Sequence, residues 1–471
     1  MTNVTNRENN KRRQLSWDLS YTGLLILLLF RIPLTNIIGN EGNGYYFISF
    51  EIFTFFYLIF GFCFHQITYE LIRKNIKKYT INTRTTLFIL LNIIGLVTSI
   101  LGAAILFISS KWILAYLHME LSIISLRLLC VWLIISSLGG IYRGYFEACG
   151  SNIPTAFSKI IEAIVAGTGS LIFATSLTNY GSKVSNLLFN QQYKPAFGAT
   201  GIICGLICGS LFSFVFLFLV YQFYQRYQKN TSNTLNDGIS KKTLCVSILK
   251  MFFVSIFSLI FMYSYRLVNL FLYVSTLLKQ IQEEQNEINI LSLVGSYHGK
   301  VLVLVGIIIL IILSISGTNI LKVRKLYSKN KYEGCWKYVL EDMKHILYIT
   351  IPTCVLIFVF SEQIFNVFYG KANMTEINFL KIESICIVLI PLSMYLYRVM
   401  KKINLNLELF ILPIIGFVVQ SVLMYVLVAS LNTRILSIVI AEVVFWFLLF
   451  IMELVIILNE FNCLSLNKKL I

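Results

Sequence analysis

The chain has 471 residues, of which 57% are apolar and 14% aromatic, whereas only 13% are charged. This composition excludes an ordinary soluble multidomain protein and is typical of an integral membrane protein. The formal charge of +17 does not indicate a nucleic-acid partner, because the Lys and Arg residues lie in short clusters between apolar runs and form no basic domain or stripe.

Apolar windows of about 20 residues predict an all-α polytopic membrane protein with about 12 transmembrane helices. The first six helices are predicted at 19–39, 44–72, 85–109, 121–147, 153–178 and 196–222. Six more are predicted at 245–275, 293–319, 345–369, 379–398, 407–430 and 434–459. Between the first two predicted helices, Gly39, Gly42 and Gly44 indicate a tight turn in which all three can take positive φ.

A polar stretch divides the two sets of helices. We predict an N-terminal six-helix lobe at 1–226, a cytoplasmic linker at 227–242 and a C-terminal six-helix lobe at 243–471. Two lobes of this kind suggest pseudo-twofold symmetry around a central cavity, the arrangement that lets a transporter open to each side in turn.

The distribution of basic residues predicts the orientation of the chain. With both termini in the cytoplasm, the inner segments carry 28 of the 39 Lys and Arg residues and the outer segments carry eight. The remaining three, Arg31, Arg127 and Arg266, are assigned to neither side and lie within predicted helices. We therefore predict a multi-pass protein of the bacterial cytoplasmic membrane, and the segment after Arg13 shows no cleavage site for a leader.

The ten cysteines show no paired metal spacing, and the four histidines are scattered without a partner motif. We expect no catalytic activity, no metal and no other cofactor, apart from a coupling ion or the membrane potential as an energy source. A membrane enzyme such as a polymerase or acyltransferase is the competing class, and the short outer loops and scattered histidines argue against it.

Several motifs carry a family resemblance. "RIPLTNIIGNEGNGYY" from Arg31 and "GIYRGYFEACGSNIPTAFSKIIEAIV" from Gly140 resemble the polysaccharide and lipid-linked precursor flippases. "AFGATGIICGLICGSLFSFVFL", "GSYHGKVLVLVG" and "FSEQIFNVFYG" are similar but looser matches. The branch that they resemble contains the stage V sporulation protein B and lipid II flippase relatives, within the multidrug/oligosaccharidyl-lipid/polysaccharide exporter superfamily.

This resemblance implies a two-lobed transporter that flips an undecaprenyl-type, lipid-linked oligosaccharide or polysaccharide precursor from the inner to the outer leaflet by alternating access. Its implied partners are the lipid-linked glycan and membrane lipids, with glycan-synthesis enzymes left open, and we expect it to function as a monomer. The alternative within the superfamily is a cation-coupled multidrug exporter.

Arg31 lies about 18 Å past the inner start of the first helix, at 1.5 Å per residue, inside the hydrocarbon region. It either lines a wet cavity or extends to the outer headgroups. Counting outward from the turn predicts Glu51 at the same depth, as a structural partner of Arg31 or as a coupling group. Arg127 and Arg266 are further candidates for the substrate cavity, because a guanidinium binds phosphate oxygens in a bidentate way.

Charges at helix ends predict an inner and an outer mouth of the substrate cavity. Arg143, Glu147, Lys159 and Glu162 flank the short turn after the fourth helix, where they form either an inner gate or a set of topology charges and local ion pairs. Lys300 is predicted at the outer mouth, with an external topology charge as the alternative.

Overall fold

The computed structural model describes residues 2–75, 81–229, 242–252, 266–274, 290–316, 319–371, 373–403, 405–430 and 436–469. This part of the chain consists of helices joined by turns and contains no β-strand, which confirms the all-α prediction. Two compact units are formed, Met1–Tyr263 and Ser264–Ile471. Most of the linker predicted at 227–242 lies outside the described residues, so the division predicted there stays a prediction.

The first unit is built from long helices. They are α1 (Thr2–Tyr57), α2 (Cys63–Asn75), α3 (Ile81–Tyr116), α4 (Ile123–Ala148), α5 (Ile153–Leu188) and α6 (Tyr193–Lys229). A π-helical turn, Leu58–Phe62, joins α1 to α2 as one continuous helix. Residues 242–252 of this unit and residues 266–274 of the second unit are also helical and belong to the seventh predicted helix, whose middle lies outside the described residues.

The chain reverses direction inside α1 at Gly39, which has φ 71° and ψ −176°. In an unbroken helix, Arg31 and Tyr46 would be about 22 Å apart. Instead, the Arg31 guanidinium carbon lies 4.1 Å from the centroid of the Tyr46 ring. The two limbs of α1 therefore run back along each other. The predicted turn extended to Gly44, whereas in the structure Gly42 and Gly44 are helical and, of these three glycines, only Gly39 takes positive φ.

Ten helical segments within the described residues are long and apolar enough to cross a membrane. The first, Tyr21–Arg73, contains two crossings because of the reversal at Gly39. The described residues thus account for eleven of the twelve predicted helices, and the remaining one is the seventh, at 245–275.

The second unit contains shorter helices. They are α7 (Ile290–Ser296), α8 (Leu302–Ile315), α9 (Ile320–Tyr327), α10 (Tyr332–Val359), α11 (Ser361–Tyr369), α12 (Met374–Glu383), α13 (Cys386–Ile403), α14 (Asn406–Ser430) and α15 (Ser437–Lys469). A second π-helical turn, Tyr297–Val301, joins α7 to α8. As in the first unit, the π-helical turn falls in the second crossing of its half.

Two predicted helices are broken in the structure. The helix predicted at 345–369 is α10 followed by α11, with the break at Phe360, and the helix predicted at 379–398 is α12 followed by α13. The start of α10 at Tyr332 was missed because five charged residues lie between 333 and 344, so an apolar window does not detect this part of the helix.

Small residues bring α5 and α6 into close contact. Gly201, Gly205 and Gly209 repeat every four residues on α6, and their Cα atoms approach the α5 backbone at Ala174, Ser170 and Ala166 respectively. A Cβ on Gly205 would lie 2.2 Å from the Ser170 nitrogen. This is the small-residue packing by which membrane helices approach closely, and at Gly209 it includes the backbone of Glu162 in the first half of α5.

Candidate functional site

Arg31 is held between the two limbs of α1. Its Nη2 donates a hydrogen bond of 2.9 Å to Oδ1 of Asn43, and its guanidinium stacks on Tyr46. Asn43 is itself fixed, because its Nδ2 donates to the carbonyl oxygen of Gly39 at 3.1 Å. The reversal at Gly39 thus supplies the groups that orient Arg31 within the membrane.

Glu51 is buried further along the same limb, with 7% of its surface exposed. If the chain reverses at Gly39 alone, Phe47 is level with Arg31. Glu51 is four residues further along the helix and therefore lies about 6 Å deeper, at 1.5 Å per residue. The predicted register assumed that the turn extends to Gly44. The charges of Arg31 and Glu51 both lie within electrostatic range of the Tyr46 hydroxyl. A direct ion pair between Arg31 and Glu51 stays a prediction.

The structure brings the four predicted inner-mouth residues together. Arg143 on α4 donates through Nη2 to the Glu162 carboxylate and to Oγ of Ser213 at 2.7 Å. Its Nε donates to Oγ of Ser158 at 3.1 Å. The Arg143 side chain therefore joins α4, α5 and α6 at one point, and Ser158 and Ser213 are members of the network that sequence reasoning missed.

Lys159 and Glu147 complete this network. The Lys159 ammonium lies within electrostatic range of Arg143, Glu147 and Glu162. Glu147 also contacts His65 on α2, with 3.2 Å between Nε2 and Oε2. The backbone of Lys159 packs against α1, because a Cβ on Gly23 would lie 2.8 Å from its carbonyl oxygen. We name the set Arg143, Glu147, Lys159, Glu162 and His65 the inner ion network.

Arg127 lies apart from these groups. It is exposed on α4, close to the start of that helix, and its guanidinium carbon is 4.5 Å from the centroid of the Phe107 ring on α3. This position matches the alternative in which Arg127 lies near an outer helix end, and the cavity role predicted for it stays a prediction.

In the second unit, Arg266 meets a carboxylate that sequence reasoning missed. Its Nη2 lies 3.2 Å from Oε1 of Glu442 on α15, and the indole N–H of Trp446 donates to the same oxygen at 3.2 Å. The Glu442 side chain is buried and that of Arg266 is partly exposed. Arg266 is therefore an ion-paired group in this structure.

A second missed carboxylate lies near this pair. The hydroxyl of Tyr297 donates to Oε2 of Glu383 at 3.0 Å, and Glu383 is within electrostatic range of both Arg266 and Glu442. The π-helical turn contributes Tyr297 and His298 to the cluster, and turns of this kind are frequent at functional sites. A lone acid in each of the apolar runs "KIESICIVLI" and "IAEVVFWF" was the available signal.

Lys300 follows on the same π-helical turn. Its Nζ lies 2.7 Å from Oε1 of Glu376, whose side chain is buried, while that of Lys300 is 12% exposed. Glu376 is also part of a capping box with Asn373 at the start of α12. Lys300 is ten residues into the apolar span Ile290–Ile315, so it lies deeper than an outer helix end, and its role at the outer mouth stays a prediction.

Arg143, Arg266 and Lys300 each face a carboxylate, and the contacts described for Arg31 include Asn43 and Tyr46. Among the residues that the structure describes, no three His, Cys, Asp or Glu side chains are grouped so as to hold a metal ion.

No protein-family model and no curated protein matches the chain. Solved structures do. An inward-facing multidrug-resistance transporter of the MATE family, in the MOP superfamily, is 15% identical with a TM-score of 0.69, over 94% of this chain and 95% of that chain. An outward-facing MATE transporter is 14% identical with a TM-score of 0.62, over 97% and 96% respectively.

The chain has the fold of these transporters. A MOP superfamily transporter from Pyrococcus furiosus, described as having a binding pocket whose reverse polarity suggests a different function, is 15% identical with a TM-score of 0.55, over 96% of both chains. Identity this low shows the fold and not the cargo. The fold expected from the sequence resemblance is confirmed, and the flippase branch stays a prediction.

Proposed function

We propose that the protein is a membrane transporter that works by alternating access and carries an anionic, lipid-linked glycan precursor of the undecaprenyl type from the inner to the outer leaflet. The proposal includes the bacterial cytoplasmic membrane, cytoplasmic termini and energy from a coupling ion or the membrane potential. Transport by alternating access is supported by likeness over nearly the whole chain to both inward-facing and outward-facing MATE transporters.

The proposal that the cargo is anionic rests on the position of Arg31. A guanidinium in the hydrocarbon region costs at least about 2.5 kcal/mol, and Asn43 and Tyr46 hold it in a fixed orientation. A planar guanidinium of fixed orientation can form two hydrogen bonds to a phosphate. An anionic headgroup would in turn gain a partner in a medium that cannot solvate it.

The experiment compares two arginines of the same unit in liposomes. Purified protein is reconstituted with a fluorescent undecaprenyl diphosphate-linked disaccharide, and translocation is measured by the loss of accessibility to a quencher. We expect Arg31→Gln to slow translocation at least about tenfold, the loss of one charge-assisted hydrogen bond. Arg127→Gln, which changes an exposed arginine stacked on Phe107, should stay within about twofold. Equal rates for the two variants would contradict the cargo class.

The second candidate is a cation-coupled multidrug exporter. It is favoured by buried carboxylates in both units, at Glu51, Glu383 and Glu442. Ethidium efflux from the same liposomes distinguishes the two: efflux that Glu51→Gln abolishes and Arg31→Gln leaves unchanged would favour the exporter over the flippase.

A further inference from the structure

A short basic helix, α9, lies between the long helices α8 and α10 at the end of the second unit that the charge pattern predicts to face the cytoplasm. Hydrogen bonds hold both its ends. The backbone N–H and side-chain amide of Asn319 donate to the Asp342 carboxylate at 3.1 and 2.8 Å. The hydroxyl of Tyr327 donates to Oε1 of Glu460 at 2.7 Å. The helix is therefore anchored to α10 at its start and to α15 at its end.

The apolar face of α9 packs inward. Ile320 and Val323 are buried, and Sγ of Cys335 on α10 contacts the carbonyl oxygen of Val323 at 3.6 Å. Tyr327 packs edge-on against Tyr332, with ring centroids 5.7 Å apart. With the ends bonded and this face buried, the rotation of α9 about its own axis is fixed, and the opposite face is presented outward.

The outward face carries positive charge beside an exposed apolar residue. Lys322, Arg324 and Lys325 are exposed, and Leu321 between them has 46% of its surface exposed. Arg324 and Lys325 follow Leu321 by three and four residues, so these three share one side of the helix. Lys322 also stacks on the ring of Tyr338, with its Nζ 5.2 Å from the centroid.

Further basic residues extend this surface. All seven between 320 and 344 are exposed: Lys322, Arg324, Lys325, Lys329, Lys331, Lys337 and Lys344. The same stretch contains three acids, Glu333, Glu341 and Asp342, and Asp342 is buried in its contacts with Asn319. The surface is therefore positive after its own acids are counted.

We propose that the outward face of α9 binds the headgroups of anionic phospholipids in the adjoining leaflet. A basic helix face with one apolar residue at its centre fits the boundary of a bilayer, where Leu321 contacts acyl chains while Arg324 and Lys325 reach the phosphates. Charges that only set topology need no ordered helix, whereas α9 is held at both ends.

The test measures lipid selectivity of the full-length protein in phosphatidylcholine nanodiscs. Spin-labelled phosphatidylglycerol and spin-labelled phosphatidylcholine are compared by the motionally restricted fraction in their electron paramagnetic resonance spectra. We expect wild type to prefer phosphatidylglycerol about fivefold or more, the contribution of a single basic residue near an anionic surface. The preference should fall as NaCl rises to 0.5 M, because exposed charges are screened.

Two matched variants localise the effect. K322Q/R324Q/K325Q should at least halve the preference, with Lys329, Lys331, Lys337 and Lys344 left in place. K111Q/K183Q/K194Q removes the same charge from exposed lysines of the first unit and should leave the preference unchanged. No preference in wild type, or an equal loss in both triple variants, would overturn the proposal.

The Asp342→Asn variant distinguishes lipid binding by an ordered α9 from attraction by the positive charge of the region alone. The substitution makes the region more positive but removes the carboxylate that accepts both Asn319 hydrogen bonds. If α9 acts as an ordered surface, the preference for phosphatidylglycerol falls. A preference that rises with the added positive charge would overturn the proposal. Size-exclusion profiles and monomer yield of every variant are compared with wild type before the lipid measurement.

Discussion

Arg143 donates a hydrogen bond to the Glu162 carboxylate across the turn between α4 and α5, and this pair is the centre of the inner ion network. Most of both side chains is shielded from solvent. Lys159 lies within electrostatic range of both. Each member of the pair has a second opposite charge nearby, because Glu147 lies within electrostatic range of Arg143.

The first prediction concerns the two single variants of this pair. Glu162→Gln should lower the free energy of unfolding by about 2 kcal/mol, because Arg143 then loses its hydrogen-bonded carboxylate in a shielded place. Arg143→Gln should lower it by at least as much, because it also removes the hydrogen bonds to Ser158 and Ser213. In the double variant, the loss should be smaller than the sum of the two single losses. Unfolding in mixed micelles measures all three, and strict additivity would show that the pair is not coupled.

The second prediction concerns the contact between α5 and α6. Gly205→Ala would place a Cβ 2.2 Å from the Ser170 nitrogen and 2.5 Å from its Cα, so the two backbones must separate. We expect a loss of about 2 kcal/mol in the free energy of unfolding.

Gly169→Ala is the matched control for that contact. It changes the facing glycine on α5, where a Cβ would meet its nearest atom, the Cα of Gly205, at an ordinary 3.4 Å. Thermal unfolding in detergent should show a lower midpoint for Gly205→Ala and a midpoint near wild type for Gly169→Ala. Similar midpoints for the two variants would be inconsistent with this helix contact.

The third prediction tests the reversal at Gly39. Its backbone lies in a region that only glycine adopts readily, and a Cβ there would meet no atom within 4 Å. Gly39→Ala should therefore lower stability by about 1–3 kcal/mol through backbone strain alone. Gly139→Ala is the control, because Gly139 is helical with equally open surroundings, and that change should raise stability by up to about 1 kcal/mol. Opposite shifts in the unfolding midpoint are expected.

The sequence allowed the helices and the inner ion network to be predicted because their signals are local. Apolar runs are long enough to detect by hydropathy alone. Arg143 and Glu162 are separated by one turn between two helices, so proximity in the chain places them together. The register of Arg31 was predicted less well, because it depends on how many residues the turn uses, and the glycines alone did not show that Gly39 suffices.

The cluster in the second unit could not be predicted in the same way. Arg266 and Glu442 are 176 residues apart, and Tyr297 and Glu383 are 86 residues apart. No helical spacing relates such residues, and the π-helical turn that directs Tyr297 and His298 has no clear sequence signature. The buried acids were visible as isolated charges in apolar runs, but their partners depend on tertiary packing.

The fourth prediction concerns Lys300 and Glu376, whose side chains are 12% and 3% exposed. Lys300→Met should lower the free energy of unfolding by about 3 kcal/mol, because it leaves a buried carboxylate without its cation. An exposed ion pair would contribute less than about 1 kcal/mol, so the size of the loss tests burial. Lys371→Met, which changes an exposed lysine between α11 and α12, is the control and should change stability by less than about 0.5 kcal/mol.

Glu376→Gln tests the same ion pair by removing the carboxylate instead of the ammonium group of Lys300. Gln can replace Glu in the capping box with Asn373, so the start of α12 should keep its cap. The loss should therefore come from the uncompensated Lys300 ammonium, and combining the two substitutions should restore part of it because no buried charge then remains. If Lys300→Met/Glu376→Gln is as unstable as the sum of the single variants, the ion pair does not account for the stability at this position.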